Sequence, residues 1–261
     1  MFKNKKFSLL GLIFVALKEF YQLLQSSHPS PALIIFIFTA CSSNKEISEL
    51  FKKSKKVNNI QSYVLVNEID YENKGNVKNQ MMKAKLINDK DTKKIIKGRV
   101  SVRYSGTANY EKNNYDVIFV GDENKSLVMT KKVDGKESKT QKNNADYNIN
   151  PDYFKLLDNI YSFDKEDLTF EETDSEYYLK LKNGNKNSKV FDLLKSEYRF
   201  SLNNVTEEEV DIIFETIFDK KTFYLKSIVW TVEYSGNKGA FKLKNTTTYS
   251  DWNNVNLDEN R

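Results

Sequence analysis

The chain has 261 residues, of which 39% are hydrophobic and 30% charged, and its net charge is +5 at pH 7. This composition excludes a polytopic membrane protein, and three prolines and nine glycines exclude collagen-like and proline-rich chains. Four lysines and one glutamate precede Cys41, so only +2 belongs to the rest of the chain, and we expect no nucleic-acid partner.

The first 40 residues are predicted to be a signal segment. Three lysines precede an apolar run at residues 7–17, which is the layout of an export signal. A second apolar run covers residues 32–40. Each run is shorter than the about 20 residues that a membrane-spanning helix needs, and Pro29 and Pro31 interrupt a continuous helix across both.

Residues 38–43, FTACSS, contain the only cysteine of the chain, Cys41. They resemble the bacterial lipobox, in which the cysteine carries a thioether-linked diacylglycerol and becomes the mature N-terminus. Two features depart from it: Phe38 stands where Leu is usual, and Cys41 lies farther from Met1 than in most lipoprotein signals. We expect lipidation of Cys41, with residues 41–45 as the lipidated N-terminus and tether. The alternatives are a secretory signal with a free cysteine and an uncleaved anchor.

An amphipathic helix is predicted after the tether. Ile47, Leu50, Phe51, Ser54 and Val57 recur at helical spacing. The opposite face carries lysines 52, 53, 55 and 56. These lysines are either a solvated helix face or a patch attracted to anionic lipid headgroups.

Period-two patterns then predict strands at residues 62–71, 81–89, 95–104, 115–121 and 126–133. In the third of these, Ile96, Gly98, Val100, Val102 and Tyr104 share one face, and charged or polar residues occupy the other. One dry face and one wet face are typical of an antiparallel sheet.

Residues 150–163 predict a second helix, with Asn150 as its cap and Pro151 at its first position. Phe154, Leu157 and Tyr161 would line one face of it. Strands are predicted at 167–173 and 176–184, and a third helix at 188–200, whose last three residues could instead belong to a strand.

The last third of the chain predicts strands at 210–218, 223–236 and 240–252, with turns at 219–222 and 236–239. Ile228, Trp230, Val232 and Tyr234 share one face of the middle strand. No internal repeat and no linker is evident, so residues 46–261 are predicted to form a single domain.

The mature chain has few groups for catalysis. Its only histidine, His28, lies in the predicted signal segment, which excludes histidine-based catalysis and histidine- or cysteine-ligated metals. Nucleotide-binding glycine motifs and calcium loops are absent from the sequence. Acidic residues at 164–176 and 207–209 are typical of solvated surface. We expect no enzyme activity, no cofactor and no metal site, with a carboxylate-based hydrolase as the minor alternative.

The order of lipobox, helix, antiparallel strands, inserted helices and closing hairpin resembles the LolA-like lipoproteins. These include the LppX/LprG group and lipoproteins of low-GC Gram-positive bacteria. The most specific local matches are residues 47–71 and 218–228, and the whole resemblance covers residues 45–257. It implies an α+β fold: a strongly curved antiparallel half-barrel whose concave face is covered by short helices. Members of this family bind lipids or acylated cargo in the cavity.

The expected function is therefore binding of a lipid or other hydrophobic ligand. We expect the protein to be a monomer on the extracytoplasmic face of the cell membrane, anchored there by a diacylglyceryl group on Cys41. The alternative is a structural or protein-interaction lipoprotein with a filled core. Side chains expected to line the ligand cavity, or else to pack the core, are Val100, Val102, Tyr104, Phe119, Trp230, Val232 and Tyr234.

Overall fold

The computed structural model describes residues 44–57, 59–121, 126–132, 134–142, 148–182, 184 and 187–257. The predicted signal segment and Cys41 lie outside these residues. The three α-helices are α1 (Asn44–Lys56), α2 (Tyr153–Tyr161) and α3 (Ser188–Tyr198). The strands are β1 (Ser62–Asn73), β2 (Asn76–Asn88), β3 (Ile95–Gly106), β4 (Tyr115–Gly121), β5 (Ser126–Lys132), β6 (Glu137–Lys142), β7 (Leu168–Glu172), β8 (Glu176–Leu181), β9 (Asp211–Asp219), β10 (Leu225–Gly236) and β11 (Gly239–Ser250).

These strands form one antiparallel sheet of 11 strands in the order β6-β5-β4-β3-β2-β1-β11-β10-β9-β8-β7. The first and last strands, β1 and β11, pair over ten positions in the middle of the sheet. The sheet is open, with β6 and β7 at its edges. The predicted α+β class, a curved antiparallel sheet with short helices on one face, is confirmed.

The three helices bury their apolar stripes against that face. In α1 the buried residues are Ile47, Leu50, Phe51 and Ser54, as the helical spacing predicts. Val57, predicted on the same face, follows the helix and is half-buried. The core cluster joins them to side chains of α2, α3 and the sheet, and all its buried members lie between residues 47 and 249. Residues 41–261 form one compact unit, so a fragment that begins at Ser42 contains every core residue that the structure describes. Within the described part of the chain, no helix combines the length and apolar character needed to cross a membrane.

The N-terminus of α2 differs from its prediction. Asp152, not Asn150, is the cap, and its carboxylate accepts hydrogen bonds from the backbone N–H groups of Phe154 and Lys155, both at 3.0 Å. Pro151 precedes the cap. The buried stripe is Tyr153, Leu156, Leu157 and Ile160, whereas Phe154 and Tyr161 are half-buried.

Glu197 of α3 holds this N-terminus in place. Its carboxylate is buried and accepts a hydrogen bond of 3.1 Å from the backbone N–H of Asp152. Burial raises the pKa of Glu197, although the hydrogen bond from Asp152 opposes the shift. The contact links α2 and α3, two of the three helices that cover the sheet.

One kind of turn occurs twice, after β2 and after β9, and only the second of the two was predicted from the sequence. Asp89 and Asp219 each accept hydrogen bonds from the backbone N–H and hydroxyl of a threonine three residues later, at 2.7 and 2.8 Å in both turns. In each turn the residue after the threonine, Lys93 or Phe223, has φ of 60°. The two turns connect β2 to β3 and β9 to β10.

The strand assignments need two further corrections. Strand β6 was not predicted, because ESKTQK contains no apolar residue to mark a strand. On β3 the pairing with β2 shifts register at Ile87/Asn88, and Ile95 is buried at the start of the strand while Ile96 is half-buried. Gly98, Val100 and Val102 lie on the buried face as predicted.

Candidate functional site

A cavity of about 1200 Å³, open to solvent, lies on the helix-bearing face of the sheet near the β1–β2 and β10–β11 turns. Its volume slightly exceeds the about 300–1,000 Å³ of ordinary small-molecule sites. The core cluster extends over the rest of the same face, and two of its buried members, Trp230 and Tyr234, also line the cavity. The interior is therefore packed at one end and hollow at the other.

Three adjacent strands form the floor of the cavity. The register places Tyr71 of β1 beside Leu243 of β11, and Asn73 beside Phe241. Phe241 in turn lies beside Tyr234 of β10, and their rings stack with centroids 6.1 Å apart. Because alternate residues of a strand face the same side, these side chains all point into the cavity.

Trp230 closes the inner end of the cavity. It is 1% exposed, and its ring makes edge contacts with Tyr198 at 5.2 Å and Phe200 at 6.0 Å between centroids. Edge-to-face packing of this kind stabilises aromatic pairs beyond the burial of their surface. Trp230 therefore separates the hollow end of the face from the packed end.

A buried polar network lies beneath Tyr198. The side-chain amide of Asn245 donates to the side-chain oxygen of Asn67 at 2.7 Å, and the Thr247 hydroxyl lies 2.8 Å from that same oxygen. Thr247 is also 3.1 Å from the Tyr198 hydroxyl. Asn67, Asn245 and Thr247 are each at most 3% exposed. The burial of its hydroxyl raises the pKa of Tyr198, so this group stays protonated as a hydrogen-bonding partner.

One wall of the cavity is residues 199–205, which follow α3. The helix ends because Arg199 has φ of 53°, the left-handed conformation that terminates many helices. Phe200, Leu202 and Val205 of this wall pack against the core from the cavity side. The sequence pattern of residues 198–200 is compatible with either a helix or a strand. In the structure Tyr198 is the last residue of the helix, and residues 199 and 200 belong to neither.

The rim of the cavity carries positive charge. Among the described lining residues there are four cations, Lys74, Lys78, Lys238 and Arg199, and no carboxylate. Lys238 is paired with Glu209 at 2.9 and 3.0 Å. Lys78 lies over the rings of Tyr104 and Tyr110, with its Nζ 5.3 and 5.6 Å from their centroids.

The predicted lining residues fall into two groups. Trp230 and Tyr234 line the cavity, and both are also buried members of the core cluster. Val100, Val102, Phe119 and Val232 are buried members of the core cluster, and Tyr104 packs half-buried against it. The sequence reading missed Ile69, Tyr71, Phe241 and Leu243; their alternation along β1 and β11 was the available signal.

The acidic stretches pair with lysines. Asp164 contacts Lys189 at 2.9 Å, Glu171 contacts Lys180 at 3.2 Å, and Glu176 pairs with Lys226. No three carboxylate, histidine or cysteine side chains of the described residues are grouped so that they could hold a metal ion. These exposed pairs contribute little to stability.

No protein-family model matches the chain, and no curated protein is similar to it in sequence. Among solved structures, the chain is similar to a domain described as an outer membrane lipoprotein-sorting protein from Vibrio parahaemolyticus. The identity is 8%, the match covers 83% of this chain and 96% of that one, and the TM-score is 0.27. A DUF1329 family protein from Desulfovibrio piger has 9% identity, 83% and 94% coverage, and a TM-score of 0.26. TM-scores this low do not carry a functional argument.

Proposed function

We propose that this protein is a LolA-like lipoprotein, anchored on the extracytoplasmic face of the cell membrane, that binds a lipid or other hydrophobic ligand in the cavity described above. The observation that supports this function is the hollow end of the helix-bearing face. Its floor includes Ile69, Phe241 and Leu243, half-buried side chains that a filled core would bury completely. Burial of an apolar ligand there is favourable by about 25 cal/mol per Å².

The two tryptophans of the chain provide a direct test. Trp230 lies at the cavity, whereas Trp252 follows the far end of β11 and packs against Tyr63 and Tyr153. In a fragment from Ser42 onward that carries Trp252→Phe, Trp230 is the only source of tryptophan fluorescence. A short-chain phosphatidylcholine with brominated acyl chains, added below its micelle concentration, is expected to quench this emission saturably.

The matched control is the same fragment with Trp230→Phe, in which Trp252 is the remaining tryptophan. Its emission is expected to change little, because the acyl chains would not reach that end of the sheet. Absence of saturable quenching in the Trp252→Phe fragment, or equal quenching in both fragments, would contradict binding in the cavity. That result would favour the structural or interaction lipoprotein instead.

The anchor is tested separately in the full-length chain. Replacing Cys41 with serine removes the sulfur to which diacylglycerol would be attached, and two acyl chains are what makes such an anchor stable. We expect the variant to move from the membrane fraction to the soluble fraction on cell fractionation. Unchanged retention in the membrane would mean that the apolar runs at residues 7–17 and 32–40 form the anchor.

A further inference from the structure

The charge around the cavity is one-sided. Lys74, Lys78 and Arg199 line it and form no ion pair with any described residue, whereas Lys238 is neutralised by Glu209. The lining residues include no carboxylate that could offset the three free charges. A neutral apolar ligand would gain little from this rim. Unpaired cations beside the cavity favour an anionic ligand.

The three cations come from three separate segments around the opening. Lys74 lies in the two-residue turn between β1 and β2. Lys74 and Gly75 both have positive φ, as a type I′ hairpin turn requires. Lys78 follows on β2, and its contacts with Tyr104 and Tyr110 hold the ammonium in place without cancelling its charge. Arg199 is the left-handed residue that ends α3.

The apolar floor and the cationic rim belong to one opening. A ligand that satisfies both must have an apolar part and an anionic end. A phosphate ester fits such a rim well, because its oxygens point in several directions and accept strong hydrogen bonds from lysine and arginine.

We propose, building on the function above, that the cavity binds an anionic phospholipid, with its acyl chains on the aromatic floor and its phosphate head group at Lys74, Lys78 and Arg199. Long-range attraction to these cations would also favour an anionic lipid over a zwitterionic one as it approaches the cavity. This long-range contribution to the preference weakens as the ionic strength rises, because salt screens it.

The test compares two brominated lipids with identical short acyl chains, phosphatidylglycerol and phosphatidylcholine, on the Trp252→Phe fragment. We expect phosphatidylglycerol to bind about tenfold more tightly at low salt, as three modest ion pairs would produce. In the variant Lys74→Gln/Lys78→Gln/Arg199→Gln, its affinity is expected to fall to near that of phosphatidylcholine, whose own affinity changes less because its choline cation offsets the charge of its phosphate. Inorganic phosphate alone is expected not to displace either lipid.

The matched control is Lys83→Gln/Lys97→Gln/Lys244→Gln, which removes the same charge from exposed positions on the opposite face of the sheet. It is expected to keep the preference for phosphatidylglycerol. Equal binding of both lipids, or a preference that survives the rim variant, would overturn the anionic ligand while leaving lipid binding intact. Displacement by inorganic phosphate would overturn it in favour of a free phosphate site. Failure of both lipids to quench Trp230 would overturn this proposal together with the proposed function.

Discussion

Replacing Tyr153 with alanine is expected to lower the free energy of unfolding by about 3–5 kcal/mol, the usual cost of removing a fully buried aromatic side chain. Tyr153 is 0% exposed, and its ring lies 4.9 to 5.6 Å from the rings of Tyr63, Phe154, Trp252 and Tyr249. The packed end of the interior is built around it. Equilibrium unfolding of the Ser42 fragment in urea measures the change.

Two companion variants separate the causes of this loss. Tyr153→Phe keeps the ring but removes the hydroxyl that accepts a hydrogen bond of 3.2 Å from the backbone N–H of Leu225. It is expected to cost about 1–3 kcal/mol, the penalty for a buried donor without a partner. Ile213→Ala, at a residue 67% exposed, is expected to change stability by less than about 0.5 kcal/mol. A loss below about 1 kcal/mol for Tyr153→Ala would contradict the packing described here.

The second large effect is expected at Asn67. Replacing Asn67 with leucine removes the acceptor of the Asn245 amide and leaves that buried donor unsatisfied beside an apolar side chain. We expect the free energy of unfolding to fall by about 2–4 kcal/mol, because the amide pays its full desolvation penalty and the network beneath Tyr198 is broken. The same urea titration provides the measurement.

A double variant distinguishes this explanation from a simple packing defect. Asn67→Leu/Asn245→Leu replaces both partners with apolar side chains, so no amide remains unsatisfied at this pair. It is expected to be more stable than Asn67→Leu alone, since removing both members of a buried pair is less costly than removing one. If the double variant loses at least as much stability as the two single variants combined, the amide pair is not the cause.

The strand pattern could be predicted where apolar and polar residues alternate. Val100 and Val102 on β3, and Trp230 and Val232 on β10, were assigned to the buried face from period two alone. On β11 the buried face also includes Asn245 and Thr247, which are polar and which an apolar pattern does not mark as buried. Alternation shows which residues share a face, but not whether a polar one will find a buried partner from a distant strand.

The candidate site could be predicted only in part. Trp230 and Tyr234 were among the expected lining residues, yet Val100, Val102 and Phe119 belong to β3 and β4, outside the three strands that form the floor. Nothing local in those segments distinguishes a residue that faces a cavity from one that faces a helix. The wall at residues 199–205 depends on where α3 ends, and that depends on the left-handed conformation of Arg199.

The sequence by itself determined the positions of the helices and of ten of the eleven strands, because these follow from the local periodicity of apolar residues. The α+β class was an expectation from the resemblance to the LolA-like lipoproteins. It also predicted the lipobox at Cys41, which remains a prediction. Only the tertiary structure decided that β1 and β11 pair in the middle of the sheet, over a separation along the chain of more than 150 residues. That pairing places Ile69 opposite Asn245 and Tyr71 opposite Leu243, and it creates a hollow end with a cationic rim that no local pattern encodes.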